Sequence, residues 1–427
     1  MQRLVRWFVV VGGVVGVLFA VFTPPFASPD EATHFFRSYQ LSEGHVFADQ
    51  HGARVGGMLP ASVEHDVHLV DVPGPVPGWS TIRKVLGNPT GGRRVFTDFQ
   101  NTALYPPLTY APQTVAIAVG RTVGLSNLAL MYLARLADLA VFLALAAYAA
   151  VRFPRSPWLV IGVALLPSTL FLAGSVSPDA LTIGLCAVML AEAARADRPY
   201  VVLALGVALG LAKPPYFLVS LVALAVWFLR GRRGWQLPAA AGTCCALAVA
   251  WSRWADHIFV PYRPIIDRHL DVRPAAQRAH LLHHPLHFAG AVASTAARDW
   301  HWWLGQVLAP FGRGIDASPP VAVAAAGFLV LVLVLAPRRP LDQRVALALV
   351  GFALVTVLAT IVAVYLYSNA VGAQHVRLVF GRYLLPVLPA LLVAVPRVWR
   401  PRNQARIDAG LLGLAAVIGV AGLLTVV

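Results

Sequence analysis

Apolar residues occur along this chain in runs long enough to cross a lipid bilayer, separated by polar segments. A membrane-spanning helix needs about 20 predominantly apolar residues, and these runs reach or approach that length. Two long polar stretches, at residues 24–127 and 253–318, interrupt the series. The pattern predicts an all-α integral membrane protein with about 11 transmembrane helices, at residues 5–23, 128–150, 157–174, 178–194, 198–212, 215–230, 236–252, 319–336, 345–367, 379–396 and 407–427.

The distribution of arginine predicts the orientation of this bundle, because cytoplasmic loops of membrane proteins carry an excess of basic residues. Residues 107–124 are only moderately apolar and contain Pro112 and Arg121, so we interpret them as an interfacial helix that does not cross. With the N-terminus in the cytoplasm, both long polar stretches then face outward. The basic residues predicted to lie inside are Arg3, Arg6, Arg152, Arg155, Arg195, Arg198, Arg230, Arg232, Arg233, Arg338, Arg339, Arg344, Arg397, Arg400, Arg402 and Arg406.

Composition supports a membrane location and excludes other classes of protein. Of the 427 residues, 58% are hydrophobic and only 12% are charged, whereas soluble domains carry about a quarter charged residues. The net charge of +15 would suit nucleic acid, but arginine in cytoplasmic loops explains it more simply. We therefore predict the lipid bilayer as a partner and no nucleic acid. Cys186, Cys244 and Cys245 all lie in apolar runs and show neither a disulfide framework nor zinc-site spacing.

Unusual charge appears just after the first predicted span, in the ten residues SPDEATHFFR that begin at Ser28. The letters S-P-D-E match a helix start with a capping box, in which Glu31 bonds back to Ser28. Asp30, His34 and Arg37 follow at i, i+4 and i+7, which places them on one face of that helix. A solvated stripe on a surface helix would explain the cap, but the shared charged face favours a functional site.

Further charged residues lie at the same predicted outer face. Asp179 opens the span at 178–194 within the motif SPDA, and Lys213 follows the fifth span in LAKPPYF. The chain contains only one other lysine, Lys84, so a compact cation at this place indicates a role toward an anion. The stretch AQHVRLVFGRYLLP adds Arg377 and Arg382, and a guanidinium fork suits a phosphate group.

A histidine-rich stretch, HLLHHPLH, suggests a metal site as an alternative. His280, His284 and His287 would share one helical face, which suits a metal ion. Pro285 interrupts that helix, however, and no carboxylate joins the histidines. We therefore assign no metal ligands and no cofactor, and a requirement for a divalent cation stays open.

Several of these motifs, taken in order, resemble a known family. SPDEATHFFRSYQLSEG, YPPLTYAP, SPDAL, KPPYF and FGRYLLPVLP resemble the bacterial multipass family named for domain of unknown function 2142, over most of the chain. Their layout is also similar to the GT-C glycosyltransferase superfamily, which includes protein mannosyltransferases and lipid A aminoarabinose transferases. The resemblance implies a GT-C-like bundle in the bacterial plasma (inner) membrane, with a catalytic module at 1–230 and a C-terminal transmembrane region at 231–427.

The same resemblance implies a reaction and its acids. A GT-C-like enzyme would move a hexosyl or pentosyl group, with inversion, from a polyprenyl-phosphate donor to an extracytoplasmic acceptor of the cell envelope. Asp30 corresponds to the catalytic base, and Asp179 matches the second acid near the site. Glu31 would orient sugar hydroxyls or the acceptor.

The expected phosphate contacts depart from the superfamily at one place. The transferases usually have a lysine before the PPL motif, where this chain has Tyr105. Lys213 or Arg382 would then hold the donor phosphate instead. The predicted substrate- and phosphate-binding residues are His34, Arg37, Tyr105, Lys213, Arg377 and Arg382.

Two other classes of function stay open. A transporter or flippase would favour charged or broken segments at the middle of the membrane and repeat symmetry, whereas here the charges collect at one predicted face. A non-catalytic scaffold for assembly of envelope polysaccharides would place Asp30 and Asp179 far apart, with no cleft between them.

Overall fold

The computed structural model describes residues 1–71, 78–88, 90–261, 271–395 and 403–427. The first element is helix α1 (Gln2–Phe22), which is long and apolar enough to cross a membrane. It buries one stripe that includes Phe8, Val15 and Phe19, spaced as residues on one helical face are. The first predicted span is therefore a helix at nearly the predicted residues.

The segment after α1 combines short helices with a small sheet, which the sequence did not predict. Strands β1 (Asp49–His51), β2 (Arg54–Pro60) and β3 (Arg94–Asp98) pair antiparallel in the order β1-β2-β3. Gly56 of β2 lies so close to β3 that a Cβ atom would sit 1.9 Å from the carbonyl oxygen of Thr97. The helices here are α2 (Glu31–Ser42), α3 (Ala61–Val70), α4 (Trp79–Leu86), α5 (Gln100–Ala103) and α6 (Ala111–Thr122), with a 3₁₀ helix at Pro107–Tyr110.

Prolines divide parts of the middle of the chain into helices shorter than predicted. The span predicted at 157–174 is two helices, because Pro167 cannot donate the hydrogen bond that would continue the first one. The second of them and the next helix meet at 116°. The helices are α7 (Asn127–Arg152), α8 (Trp158–Ala164), α9 (Pro167–Ala173), α10 (Pro178–Arg195), α11 (Pro199–Gly210) and α12 (Leu221–Leu229), with a 3₁₀ helix at Tyr216–Ser220.

The C-terminal part departs from the prediction in two places. The stretch 253–318, predicted as an outer loop, contains a helix of 24 residues. The span predicted at 379–396 is not one helix as far as residue 395, because Pro386 and Pro389 interrupt it. The elements are α13 (Gln236–His257), α14 (Pro274–His283), α15 (Pro285–Leu308), α16 (Pro319–Leu335), α17 (Gln343–Ser368), α18 (Leu388–Leu391) and α19 (Gln404–Leu423), with 3₁₀ helices at Gly381–Leu384 and Leu392–Ala394.

The described residues contain four helices that are long and apolar enough to span a membrane, namely α1, α7, α17 and α19. Counting the bent pair of α9 and α10 as one span gives five, and α11, α12 and α16 are shorter apolar helices. The all-helical membrane bundle is thus shown, while the number of 11 spans stays a prediction. α11 also packs against α13, although the predicted module boundary at residue 230 lies between them in the chain. The division into two modules stays a prediction.

Helix α10 lies at the centre of this bundle. Every residue from Pro178 to Ala194 is buried, as expected for a helix that is apolar all round. It packs against α7, α11 and α12. The start of α10, with Asp179 in its first turn, is therefore fixed in position by helices on several sides.

The predicted orientation can be tested with reporter fusions. A phosphatase that is active only outside the cytoplasm should be active after Gly92 and inactive after Arg232, because the arginine bias puts these points on opposite sides. Activity in the reverse order would overturn the orientation. Arg397, Arg400 and Arg402, which contribute to that bias, lie outside the described residues.

Candidate functional site

Asp30 lies directly before α2 and not inside it. Its backbone is left-handed, with φ 61° and ψ 13°, which is uncommon for a residue other than glycine. Its carbonyl accepts the N–H of His34 at 3.0 Å, so Asp30 is the N-cap. The predicted capping box is wrong, since the buried hydroxyl of Ser28 has no hydrogen-bond partner among the described residues. Strained backbone of this kind is concentrated at functional sites.

Glu31 points away from Asp30 and into the protein. Its carboxylate receives two hydrogen bonds from Arg135, at 2.8 and 2.7 Å, and one from the backbone N–H of Val176 at 2.9 Å. Both side chains are completely buried. Arg135 also donates to the carbonyls of Ala20 and Thr23. The Glu31 carboxylate thus has a structural role, in which it ties α2 and α7 to the end of α1, and its predicted role toward a substrate stays a prediction.

Three charged residues from distant parts of the chain meet beside Asp30. Arg382 Nη2 lies 3.3 Å from Asp30 Oδ2, and Arg382 Nε lies 3.8 Å from Asp179 Oδ2. Lys213 Nζ lies 2.6 Å from Asp179 Oδ1. The side chain of Asp30 is 41% exposed, whereas that of Asp179 is 9% exposed. Asp179 is thus enclosed by both cations, and Asp30 shares one of them while remaining accessible.

A cavity of about 370 Å³ opens beside this cluster. Asp30, Lys213 and Arg382 line it, and Asp179 lies behind the two cations. Its wall also contains residues that the sequence reasoning missed. These residues include Asn101, which donates a hydrogen bond of 3.1 Å to Asp30, and Trp251, Asp256, Tyr367 and Tyr383.

Asp30 and Arg382 also line a second cavity, of about 540 Å³. The rest of its wall is more polar and includes Asp71, Gln306 and Arg313. The ion pair between Asp30 and Arg382 therefore belongs to the walls of both cavities.

His34 and Tyr105 line the first cavity as neutral groups. Burial lowers the pKa of His34 to about 3, and its Nδ1 lies 2.9 Å from the hydroxyl of Tyr110. Burial raises the pKa of Tyr105, whose ring stacks on His34 and lies 5.4 Å from Lys213 Nζ. At neutral pH, His34 can offer a phosphate a hydrogen bond but no positive charge.

Two of the predicted phosphate ligands lie outside the two cavities. Arg37 is fully buried and donates to the carbonyl of Val46 at 2.8 Å and to the side chain of Gln40. Gln40 in turn donates a hydrogen bond to the carbonyl of Phe47. Arg37 therefore stabilises the position of the chain that follows α2. Arg377 is exposed and lines neither cavity. The structure therefore does not bring either arginine to the cavities beside Asp30, and their predicted phosphate-binding roles stay predictions.

The histidine-rich stretch lies at the junction of α14 and α15, where Pro285 begins the second helix. His280 Nε2 lies 3.3 Å from His287 Nδ1, and neither residue lines the two cavities described. In the part of the chain that the structure describes, no group of three or more His, Cys, Asp or Glu residues is arranged to hold a metal ion.

Comparison with models of known protein families identifies one that matches this chain. The profile of a family described as predicted membrane protein, DUF2142, matches residues 14–391, which is most of the chain and includes all four charged residues. The chain belongs to the DUF2142 family. No curated protein and no solved structure matches it.

The site of this DUF2142 protein combines three chemical properties. An accessible carboxylate, Asp30, can accept a proton. Lys213 and Arg382 are largely buried, and a buried charge acts more strongly on an anion than a charge in water does. The cavity beside them is large enough for a drug-sized ligand. Together these groups suit a reaction in which a hydroxyl attacks and an anion leaves.

Proposed function

We propose that this DUF2142 protein transfers a sugar from polyprenyl phosphate or diphosphate to a hydroxyl group of a cell-envelope acceptor. The observation that carries the proposal is the position of Asp30 and Arg382 in the walls of two cavities. A transferase needs a donor on one side of its reacting groups and an acceptor on the other. The sharing of Arg382 by Asp30 and Asp179 also argues against a scaffold, for which these acids would lie far apart.

The first cavity is the better place for the donor. Lys213 and Arg382 line it together, and their side chains are only 6% and 5% exposed. A lipid-linked phosphate would bring a negative charge to these cations and an apolar tail to the rest of the wall. The second cavity, with its more polar wall, is left for the acceptor.

In the proposed step, the acceptor oxygen bonds to the anomeric carbon of the sugar while Asp30 takes the proton of that hydroxyl. The bond between the anomeric carbon and the phosphate oxygen breaks, and its electron pair leaves with the lipid phosphate. Lys213 and Arg382 stabilise the charge that develops on this leaving group. A direct displacement of this kind inverts the anomeric configuration. Asn101, which donates to Asp30, orients the carboxylate.

The two lysines of the chain allow a matched test of donor binding. Lys213→Met should weaken binding of polyprenyl phosphate to purified protein in nanodiscs by about ten- to a hundredfold, since a hydrogen bond to a charged group contributes about 1.5–3 kcal/mol. Lys84→Met is the control, because Lys84 is exposed on α4 and lines neither cavity.

Both variants should first be compared for abundance and thermal stability, because Lys213 also pairs with Asp179. An unchanged dissociation constant in folded Lys213→Met would contradict the placement of the donor phosphate. Transfer of a labelled sugar from the lipid, measured on the same preparations, then tests the reaction itself.

A further inference from the structure

Much of the wall of the first cavity comes from two helices, α13 and α17. On α13 and the residues just after it, the lining positions Trp251, Ala255 and Phe259 recur every four residues, as one helical face requires. On α17, Thr360 and Val364 recur in the same way, and Ala363 joins them. Both helices therefore turn one face toward the space that leads to Lys213, and that face mixes apolar side chains with polar ones such as Asp256 and Thr360.

Two described elements that pack against both α13 and α17 are short. Both helices pack against α12, but α12 has only nine residues, or roughly 14 Å at 1.5 Å per residue. The chain before it, which includes Pro214 and Pro215, forms only the short 3₁₀ helix Tyr216–Ser220. Two contacts cross the gap between the C-terminal ends of α13 and α17 at Tyr367: its hydroxyl donates a hydrogen bond to Asp256 Oδ1 at 2.9 Å, and its ring packs edge-on against Phe259 with ring centroids 5.2 Å apart.

The proposed substrate class requires an opening of this kind. A cavity of about 370 Å³ accommodates a ligand of drug size, which is far smaller than a polyprenyl chain. The tail of the donor must therefore leave the cavity and continue in the bilayer. Helix α17 is suited to border that exit, because only 28% of its apolar 18-residue stretch is buried inside the protein.

We propose that the gap between the C-terminal ends of α13 and α17 is the entrance through which the donor lipid reaches Lys213, with Tyr367 and Asp256 closing it. This proposal rests on the proposed function, since it assumes a lipid-linked donor. When the hydrogen bond between Tyr367 and Asp256 breaks and the rings of Phe259 and Tyr367 separate, the lipid phosphate passes between the two helix ends while its tail stays in the membrane.

Photo-crosslinking tests the entrance without depending on catalysis. Benzoylphenylalanine placed at Ala363 in the full chain in nanodiscs should form an adduct with radiolabelled polyprenyl phosphate. The matched control position is Ala324, an exposed alanine of α16. An adduct at 363 at least several-fold above that at 324 supports the entrance, whether or not sugar transfer is detected. Equal adducts at the two positions would overturn it.

A bulky side chain gives a second test that separates the entrance from the reaction. Ala363→Trp should reduce binding of polyprenyl phosphate at least tenfold, whereas Ala324→Trp should leave it unchanged. Tyr367→Phe removes the hydrogen bond to Asp256 and should speed formation of the adduct in a variant carrying the crosslinker. Normal lipid binding by Ala363→Trp together with normal transfer would refute the entrance and leave the proposed function intact.

Discussion

Asp30→Asn is expected to insert and fold normally while losing about 10²–10⁴ in the rate of sugar transfer, the usual contribution of a general base. Asparagine tolerates the left-handed backbone of this position as aspartate does, and its side-chain oxygen can still accept the hydrogen bond from Asn101. Its amide cannot accept the proton of the acceptor hydroxyl. The measurement is transfer of a labelled sugar from membrane lipid, with the amount of protein equalised.

The variant also changes the charge facing Arg382, so donor binding should be measured separately from turnover. Loss of turnover with retained binding of polyprenyl phosphate identifies Asp30 as the base. Wild-type turnover by Asp30→Asn would remove that assignment and most of the support for an enzyme.

Glu31→Gln, at the neighbouring residue, should instead lower the stability of the protein. It leaves Arg135 buried without a charged partner, and removing one member of a buried ion pair costs about 3–5 kcal/mol. If Glu31 only formed a capping box, glutamine would replace it well. The outcome therefore separates a capping role from a buried ion pair. Thermal unfolding of the solubilised protein and its abundance in the membrane are the measurements.

The control for this prediction is an acid in a weak and more exposed pair. Glu64 lies 3.6 Å from His68, and their side chains are 30% and 66% exposed, so Glu64→Gln should change the free energy of unfolding by less than about 1 kcal/mol. Replacing Glu31 and Arg135 together by leucine should recover much of the stability, because it leaves no unpaired charge. Equal stability of Glu31→Gln and Glu64→Gln would show that the buried pair does not hold this region together.

Local sequence signals predicted the parts of the fold that depend on local chemistry. Long apolar runs located α1, α7, α17 and α19, and the motif SPDA located the start of α10, where Ser177 caps the helix through the N–H of Asp179. The motif after α1 also led to Asp30. Each of these features depends on residues close together in the chain.

The rest of the site depends on contacts between distant residues, which a single sequence does not reveal. Glu31 and Arg135 are 104 residues apart, and Asp30 and Arg382 are 352 apart. The sequence analysis placed both acids of the SPDE motif at the site, and only these distant partners show that the Glu31 carboxylate lies in a buried ion pair. Asn101 carries no charge and belongs to no charged motif, so nothing in its neighbourhood indicated its contact with Asp30.

The grouping of two acids with two cations has a consequence for turnover. With Asp30 and Asp179 ionised, the charges of Lys213 and Arg382 are balanced and the resting cluster is electrically neutral. In the proposed reaction Asp30 gains a proton, so the cluster becomes net positive at the moment when the lipid phosphate product is formed. The net positive charge then retains the lipid phosphate until Asp30 gives its proton to water. This proton transfer restores the neutrality of the cluster and weakens its attraction for the anion. Release of the spent carrier would thus be coupled to release of a proton.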